Sequence, residues 1–212
     1  MSNIFDPGCR RCPRLAAFLD AVKSEHPSYY CKPVPPFGDP EARLLIVGLA
    51  PGKHGANRSG RPFTGDHAGI LLYASLFKFG LANGAVSAAA DDGLKLIGTR
   101  ITNAVKCLPP DNKPLPLEIK TCNGYLRAEL EQSTTVRAIL ALGAIAHQAV
   151  LRAHDLPIKD YKFAHGAEHS LGQRRVLVDS YHCSRYNTQT RRLTAAMFEA
   201  VVERARTLAR IA

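Results

Sequence analysis

The chain has 212 residues, 46% hydrophobic and 22% charged, which suits a globular protein with a substantial core and excludes a disordered or fibrous one. No apolar run is long enough to span a bilayer, and the opening MSNIFDPGCRRCPRL lacks the charged-then-apolar order of a signal peptide, so a cytosolic protein with no membrane partner is expected. Lys and Arg number 28 against 18 Asp and Glu, a net charge of +10 that favours a polyanionic partner, most simply nucleic acid, over a merely basic protein.

In chain order, residues 11–25 carry Leu15, Phe18, Leu19 and Val22 at helical spacing. The prolines of HPSYYCKPVPPFGDP then impose a loop. Residues 44–48 form a continuous apolar run, as expected of a strand in a parallel sheet. A long Gly-rich loop follows, and Asp66 stands where a helix through Phe79 begins. TRITNAVKC, from Thr99, reads as a second strand interrupted by Asn103 and Lys106, and LPPDNKPLP as a loop before a helix over 117–131. A third strand over 136–142 leads into a helix over 143–153, and a fourth strand is expected at 175–178. DSYHCSRYNTQT precedes a closing amphipathic helix over 193–211. This alternation predicts one α/β domain over 1–212, a three-layer α/β/α sandwich with a mainly parallel four-stranded central sheet. Ligands of such sheets bind beyond the carboxyl ends of the strands. The loop after Gly48, the Asn103 region and His182 with Ser184 all fall there.

Six cysteines are present. In a reducing compartment disulfides are disfavoured, so a clustered set points to metal or catalysis. Cys9 and Cys12 form a C-x2-C pair, while fourteen residues separate Cys107 from Cys122. Four thiolates suit tetrahedral zinc or an iron–sulfur cluster, and the open second spacing favours the cluster. The competing reading makes Cys107 and Cys122 ordinary buried hydrophobes. Cys31 and Cys183 are left over, and Cys31 lies among tyrosines and prolines that suggest packing.

The loop after Gly48 has neither a P-loop nor a dinucleotide fingerprint. It carries Lys53, His54, Asn57, Arg58 and Arg61, suited to phosphates and sugar edges. Its segment GLAPGKHGANRSGRPFTGD resembles the first motif of the uracil-DNA glycosylase superfamily, in the form found in family 5. ITNAVKCLPPDNKPLPLEIKTC is similar to the segment that gives families 4 and 5 an Asn and two cluster cysteines, and SYHCSRYNTQTRRLT to the closing His-x-Ser motif. The match runs over residues 9–194. It implies a four-stranded parallel sheet between helices, a [4Fe–4S] cluster on Cys9, Cys12, Cys107 and Cys122, and removal of uracil and other deaminated bases, hypoxanthine among them, from DNA. A monomer of the bacterial cytosol or nucleoid is expected. Leu49 stands where family 4 has an acidic residue, which removes the usual water-activating group from that position. Gly52-Lys53 and Cys183 depart from the family 5 pattern, Cys183 replacing a Pro.

Glycosidic cleavage leaves positive charge on the sugar and negative charge on the departing base, and the base must first be flipped out of the duplex. Asp66 is expected to stabilise the sugar cation or orient water, against the plainer reading of a helix cap. His182 is expected to donate to the base carbonyl as charge develops there, and Asn103 to read a pyrimidine edge or place the water. Phe63 can stack on the base. His54 and Asn57 suit water, base or phosphate, and Ser184 a phosphate. Arg185 and Tyr186 are candidate wedge residues. No lysine is placed for Schiff-base chemistry, so the expected product is an abasic site. The alternatives are a non-catalytic damaged-DNA binder of the same fold and a zinc-stapled hydrolase of free nucleotides.

Overall fold

The computed structural model describes residues 5–172 and 174–211. Helix α1 (Pro13–Glu25) is followed by a loop that contributes β1 (Phe37–Gly38), then by β2 (Leu44–Gly48), the short α2 (Ala56–Ser59) and α3 (His67–Lys78). Next come β3 (Thr99–Asn103), α4 (Pro116–Gln132), β4 (Ala138–Leu142) and α5 (Ala144–Ala153). The chain closes with β5 (Glu168–Ser170), β6 (Val176–Ser180), α6 (Arg185–Gln189) and α7 (Ala195–Ala209).

The sheet corrects the sequence expectation. It has six strands, in the order β1-β3-β2-β4-β6-β5, and it is mixed. The inner four, β3, β2, β4 and β6, are parallel, while β1 pairs antiparallel with β3 at one edge and β5 antiparallel with β6 at the other. The two added strands are only two and three residues long, and neither is an apolar run, so no hydrophobic pattern announces them. They shorten the exposed edges of the sheet, where unpaired backbone would otherwise invite association.

Alternate residues of the inner strands feed two cores. Leu44, Ile46, Ile101, Leu140 and Val178 pack with Leu72, Tyr73 and Leu76 of α3 and with Phe198 and Val202 of α7. Leu45, Val47, Ile139 and Leu177 pack with Leu126 of α4 and Val150 of α5. A third cluster docks α1, through Leu15, Leu19 and Val22, onto Val105, Leu108 and Ile119. An Arg14–Glu118 ion pair at 2.8 Å ties α1 to the first turn of α4. Register pairs Gly48 with Asn103 and Leu142 with Ser180, so the carboxyl ends of β2, β3, β4 and β6 stand level. The site is built on that rim.

Candidate active site

A cavity of about 400 Å³ opens at this rim, lined by Leu49, Gly52, Phe63, Asp66, Asn103 and His182, with His67, Asn112, Ser184 and Arg185 at its walls. A larger cavity, about 770 Å³, lies on the far side of the molecule between the proline-rich loop and α4. Its buried charges are paired, Arg100 and Lys106 with Glu129 at 2.7 and 3.8 Å, and none of the buried unpartnered side-chain atoms belongs to its lining. The smaller cavity is different: Asp66 Oδ1 and Asn103 Oδ1, both on its wall, are buried without a hydrogen-bond partner, as is Asn57 Oδ1 nearby in the loop. Unsatisfied buried polar atoms are costly and concentrate where a ligand completes them.

Asp66 occupies the N-cap position of α3 in extended backbone, but its side chain does not cap the helix. It turns back across the loop, where Oδ2 accepts a long 3.4 Å hydrogen bond from the Ala56 N–H. Burial raises its pKa above the usual carboxylate range, and the single backbone donor only partly opposes this. Gly55 makes room for the carboxylate, since a Cβ there would lie 2.4 Å from Asp66 Oδ2.

Phe63 holds a left-handed conformation at φ 56°, rare for a large side chain, and is buried with its ring 6.1 Å from that of His182. Gly48 admits both Phe63 and Asn103, because a Cβ at that position would lie 2.4 Å from Asn103 Oδ1 and 2.5 Å from the Phe63 ring. Burial pushes His182 down to about 4, so its imidazole is neutral across the ordinary pH range. A neutral imidazole still offers one N–H to an acceptor.

The other sequence candidates divide. Ser184 caps α6, its Oγ accepting the Asn187 N–H at 3.4 Å, and its hydroxyl proton stays available; Arg185 is exposed at the cavity mouth beside Tyr186. Arg58 is exposed on the loop. His54 faces away from the cavity wall, its Nδ1 2.9 Å from the Tyr29 hydroxyl. Asn57 is fully buried and donates to Cys31 Sγ at 3.4 Å. Arg61 is turned inward: it pairs with Asp92 at 2.6 Å, donates to Thr64 Oγ1 at 2.9 Å and lies over the Phe37 ring. Among the described residues no lysine lines the cavity. Sequence reasoning missed His67, whose Nε2 is 3.1 Å from Thr188 Oγ1 and which thereby links α3 to α6, and Asn112, a left-handed residue (φ 55°) on the cavity wall. The DN dipeptide after two prolines was the available signal for Asn112.

Cys9, Cys12, Cys107 and Cys122 line one pocket between α1, the segment after β3, and α4. Burial and the neighbouring thiols push Cys107 up to about 12, and burial also raises Cys122. Such a set is at ease as thiolates only beside a cationic centre. Cys183, by contrast, is a fully buried thiol of the core, also pushed up to about 12 by burial.

Among the described residues one trio does bring its ligand atoms within 4.8 Å: His147 of α5, His169 of β5 and Asp179 of β6 can hold a metal ion. Among the described residues no helix is long and apolar enough to cross a membrane.

A mixed sheet whose inner parallel strands, with the start of α3, deliver an amide, an imidazole and a carboxylate to one cavity defines an α/β enzyme working at its strand termini. The family model for the uracil DNA glycosylase superfamily matches residues 35–206, and the chain belongs to that superfamily. It is 47% identical to a type-5 uracil-DNA glycosylase of Thermus thermophilus over 95% of this chain and 94% of the relative. A type-5 uracil-DNA glycosylase of Pyrobaculum aerophilum is 44% identical, covering 93% and 87% of the two chains. A type-4 uracil-DNA glycosylase of Archaeoglobus fulgidus is more distant, 30% identical over 82% of this chain and 75% of the relative.

Proposed function

We propose that this chain is a monofunctional uracil-DNA glycosylase of the type-5 kind, a hydrolase that cleaves the N-glycosidic bond of uracil and other deaminated bases in DNA and leaves an abasic site. The observation that carries the reading is the convergence of the unpartnered oxygens of Asp66 and Asn103 with the neutral His182 imidazole on one cavity. A flipped nucleotide would complete all three. In this reading the Asp66 carboxylate, ionised at working pH, faces the sugar and holds the attacking water against it with Asn103. His182 donates its N–H to the base carbonyl, where negative charge grows, and Phe63 covers the face of the base. Leu49, Ala50 and Ala68 form a small apolar wall that leaves room for a purine such as hypoxanthine. Arg58 and Ser184 engage phosphates, and Arg185 with the exposed Tyr186 enters the vacated stack. The molecule works as a single-domain monomer.

The cysteine pocket fits a [4Fe–4S] cluster. Its four thiols are brought together from distant segments, and burial raises Cys12, Cys107 and Cys122, a cost that a cationic centre relieves. The cluster would staple α1 to the centre of the fold and supply no electrons, since glycosidic hydrolysis needs none.

The test is base release under single-turnover conditions from duplexes carrying uracil or hypoxanthine, read by strand scission after alkali. Scission only after alkali, with free base as coproduct, supports the reading; tight binding without release overturns it. Iron and acid-labile sulfide in about equal amounts, lost in Cys9→Ser, support the cluster, and colourless active protein holding zinc at the cysteines refutes it.

A further inference from the structure

We propose that His147, His169 and Asp179 form a second metal site, taking a divalent ion of the zinc class in a nitrogen and oxygen ligand set far from the cysteines. Asp179 is fully buried, and each of its oxygens meets one imidazole: Oδ1 lies 2.8 Å from His147 Nδ1, and Oδ2 lies 3.2 Å from His169 Nε2. Among the described residues no Lys or Arg pairs with this carboxylate; its two ion-pair partners are histidines.

The His147 ring requires a cation there. Its Nε2 lies 3.0 Å from the Tyr161 carbonyl oxygen, which can only accept, so Nε2 carries a proton. In the neutral ring Nδ1 then presents a lone pair to a carboxylate oxygen, with both groups buried. Two electron-rich atoms at 2.8 Å repel unless a cation lies between them. A proton on Nδ1 meets that need, and a neutral His169 then donates its Nε2–H to the other carboxylate oxygen as an ordinary hydrogen bond. A metal ion uses all three groups. An imidazole that binds through one nitrogen while its other N–H donates to a backbone carbonyl is the usual outer-shell support of a metal-ligating histidine.

The dimensions allow it. Bonds of about 2.0–2.2 Å in a tetrahedron set neighbouring ligands about 3.3–3.6 Å apart, so the carboxylate–imidazole contacts, 2.8 and 3.2 Å, need to open by less than about 1 Å. The rings of Phe163 and Tyr161 wall the site, 5.6 Å from His147 and 5.7 Å from His169 respectively. His169, on the short edge strand, is partly exposed, giving an entry path and an open coordination position. The ion would tie α5, β5 and β6 together on the face of the sheet opposite the Phe63 side.

The test uses the full-length protein with its native iron, equilibrated with micromolar Zn²⁺, desalted, and analysed for zinc and iron by mass spectrometry. About one zinc per chain is expected. His169→Ala, an edge-strand change, should lose the zinc and keep the iron, whereas Cys9→Ser should lose iron and keep the zinc. Imidazole ¹⁵N spectra of the zinc-equilibrated protein should show His147 with Nε2 protonated and Nδ1 bound to metal. Three outcomes overturn the proposal: zinc retained in His169→Ala, zinc lost with Cys9→Ser, or no zinc taken up with both His147 nitrogens protonated, which would make the trio a proton-filled ion pair.

Discussion

Asp66, half-buried on the cavity wall, and Asp179, fully buried, both stand close to the same strand ends, and their surroundings differ sharply. Asp179 has an imidazole against each oxygen, and the cation it shares with them, proton or metal ion, satisfies it. Asp66 has one long backbone hydrogen bond and one oxygen with none, and burial raises its pKa. A satisfied buried carboxylate holds elements together. An unsatisfied one costs stability and persists only where another molecule completes it. The same contrast separates the histidines: His147 has both nitrogens engaged, while the His182 imidazole faces the cavity and is driven neutral by burial alone. The balance of donors and acceptors therefore marks the site.

That contrast predicts opposite phenotypes. Asp179→Ala should lower stability by about 3–5 kcal/mol, the usual consequence of stripping one partner from a buried ion pair. Its single-turnover base release, measured below the melting transition, should match the parent. A large loss of rate in a folded Asp179→Ala would break the division of labour. Asp66→Asn should do the reverse: release slows on the order of 10²-fold or more, the scale for losing one aimed electrostatic group. Because the folded pKa of Asp66 lies above the unfolded one, its contribution to stability is present below the unfolded value and lost as pH rises through the folded value. At neutral pH the charge opposes folding, so Asp66→Asn should melt no lower than the parent. Parental release by Asp66→Asn would remove the carboxylate from the reaction.

Smaller effects sharpen the same comparison. Gly55→Ala places a methyl group against the Asp66 carboxylate and should slow release by somewhat less than about 10²-fold through misplacement, with little change in DNA affinity. An unchanged rate would mean that the carboxylate has freedom to move. In pH–rate profiles the acid limb should lie above the usual carboxylate range and vanish in Asp66→Asn. His182, already neutral down to about 4, should leave that limb in place when replaced by Gln. The smallest effect concerns charge. Arg58→Gln should lower the slope of log affinity against log salt by about one, as for a single phosphate contact, while Arg61, committed to Asp92, belongs to the fold.

Much of this architecture was legible in the chain. The apolar run at Leu44–Gly48 and the helical spacing of Leu15, Leu19 and Val22 are local patterns, and local patterns survive folding. The inner strands and main helices lie within a few residues of their expected places, and Asp66, Asn103, Phe63 and His182 could be singled out because motif spacing along three strand ends brings them to one rim. The residue types also limited the chemistry, since one carboxylate among basic and amide groups has few uses.

What the tertiary structure decided is which way each side chain faces and what it meets. The edge strands Phe37–Gly38 and Glu168–Ser170 exist because neighbouring strands offer backbone partners, which no pattern within two or three residues can encode. Arg58 and Arg61 look alike in sequence, yet one is exposed and the other is clamped by Asp92, thirty-one positions away. Asp66 sits at a helix start but reaches back to Ala56 across a turn that only Gly55 permits. His147, His169 and Asp179 come from a helix, an edge strand and an inner strand, and nothing in their spacing joins them. Periodicity and motif spacing are properties of the chain, but the pairing of a buried charge is a property of the space around it, and that space exists only after distant segments have packed.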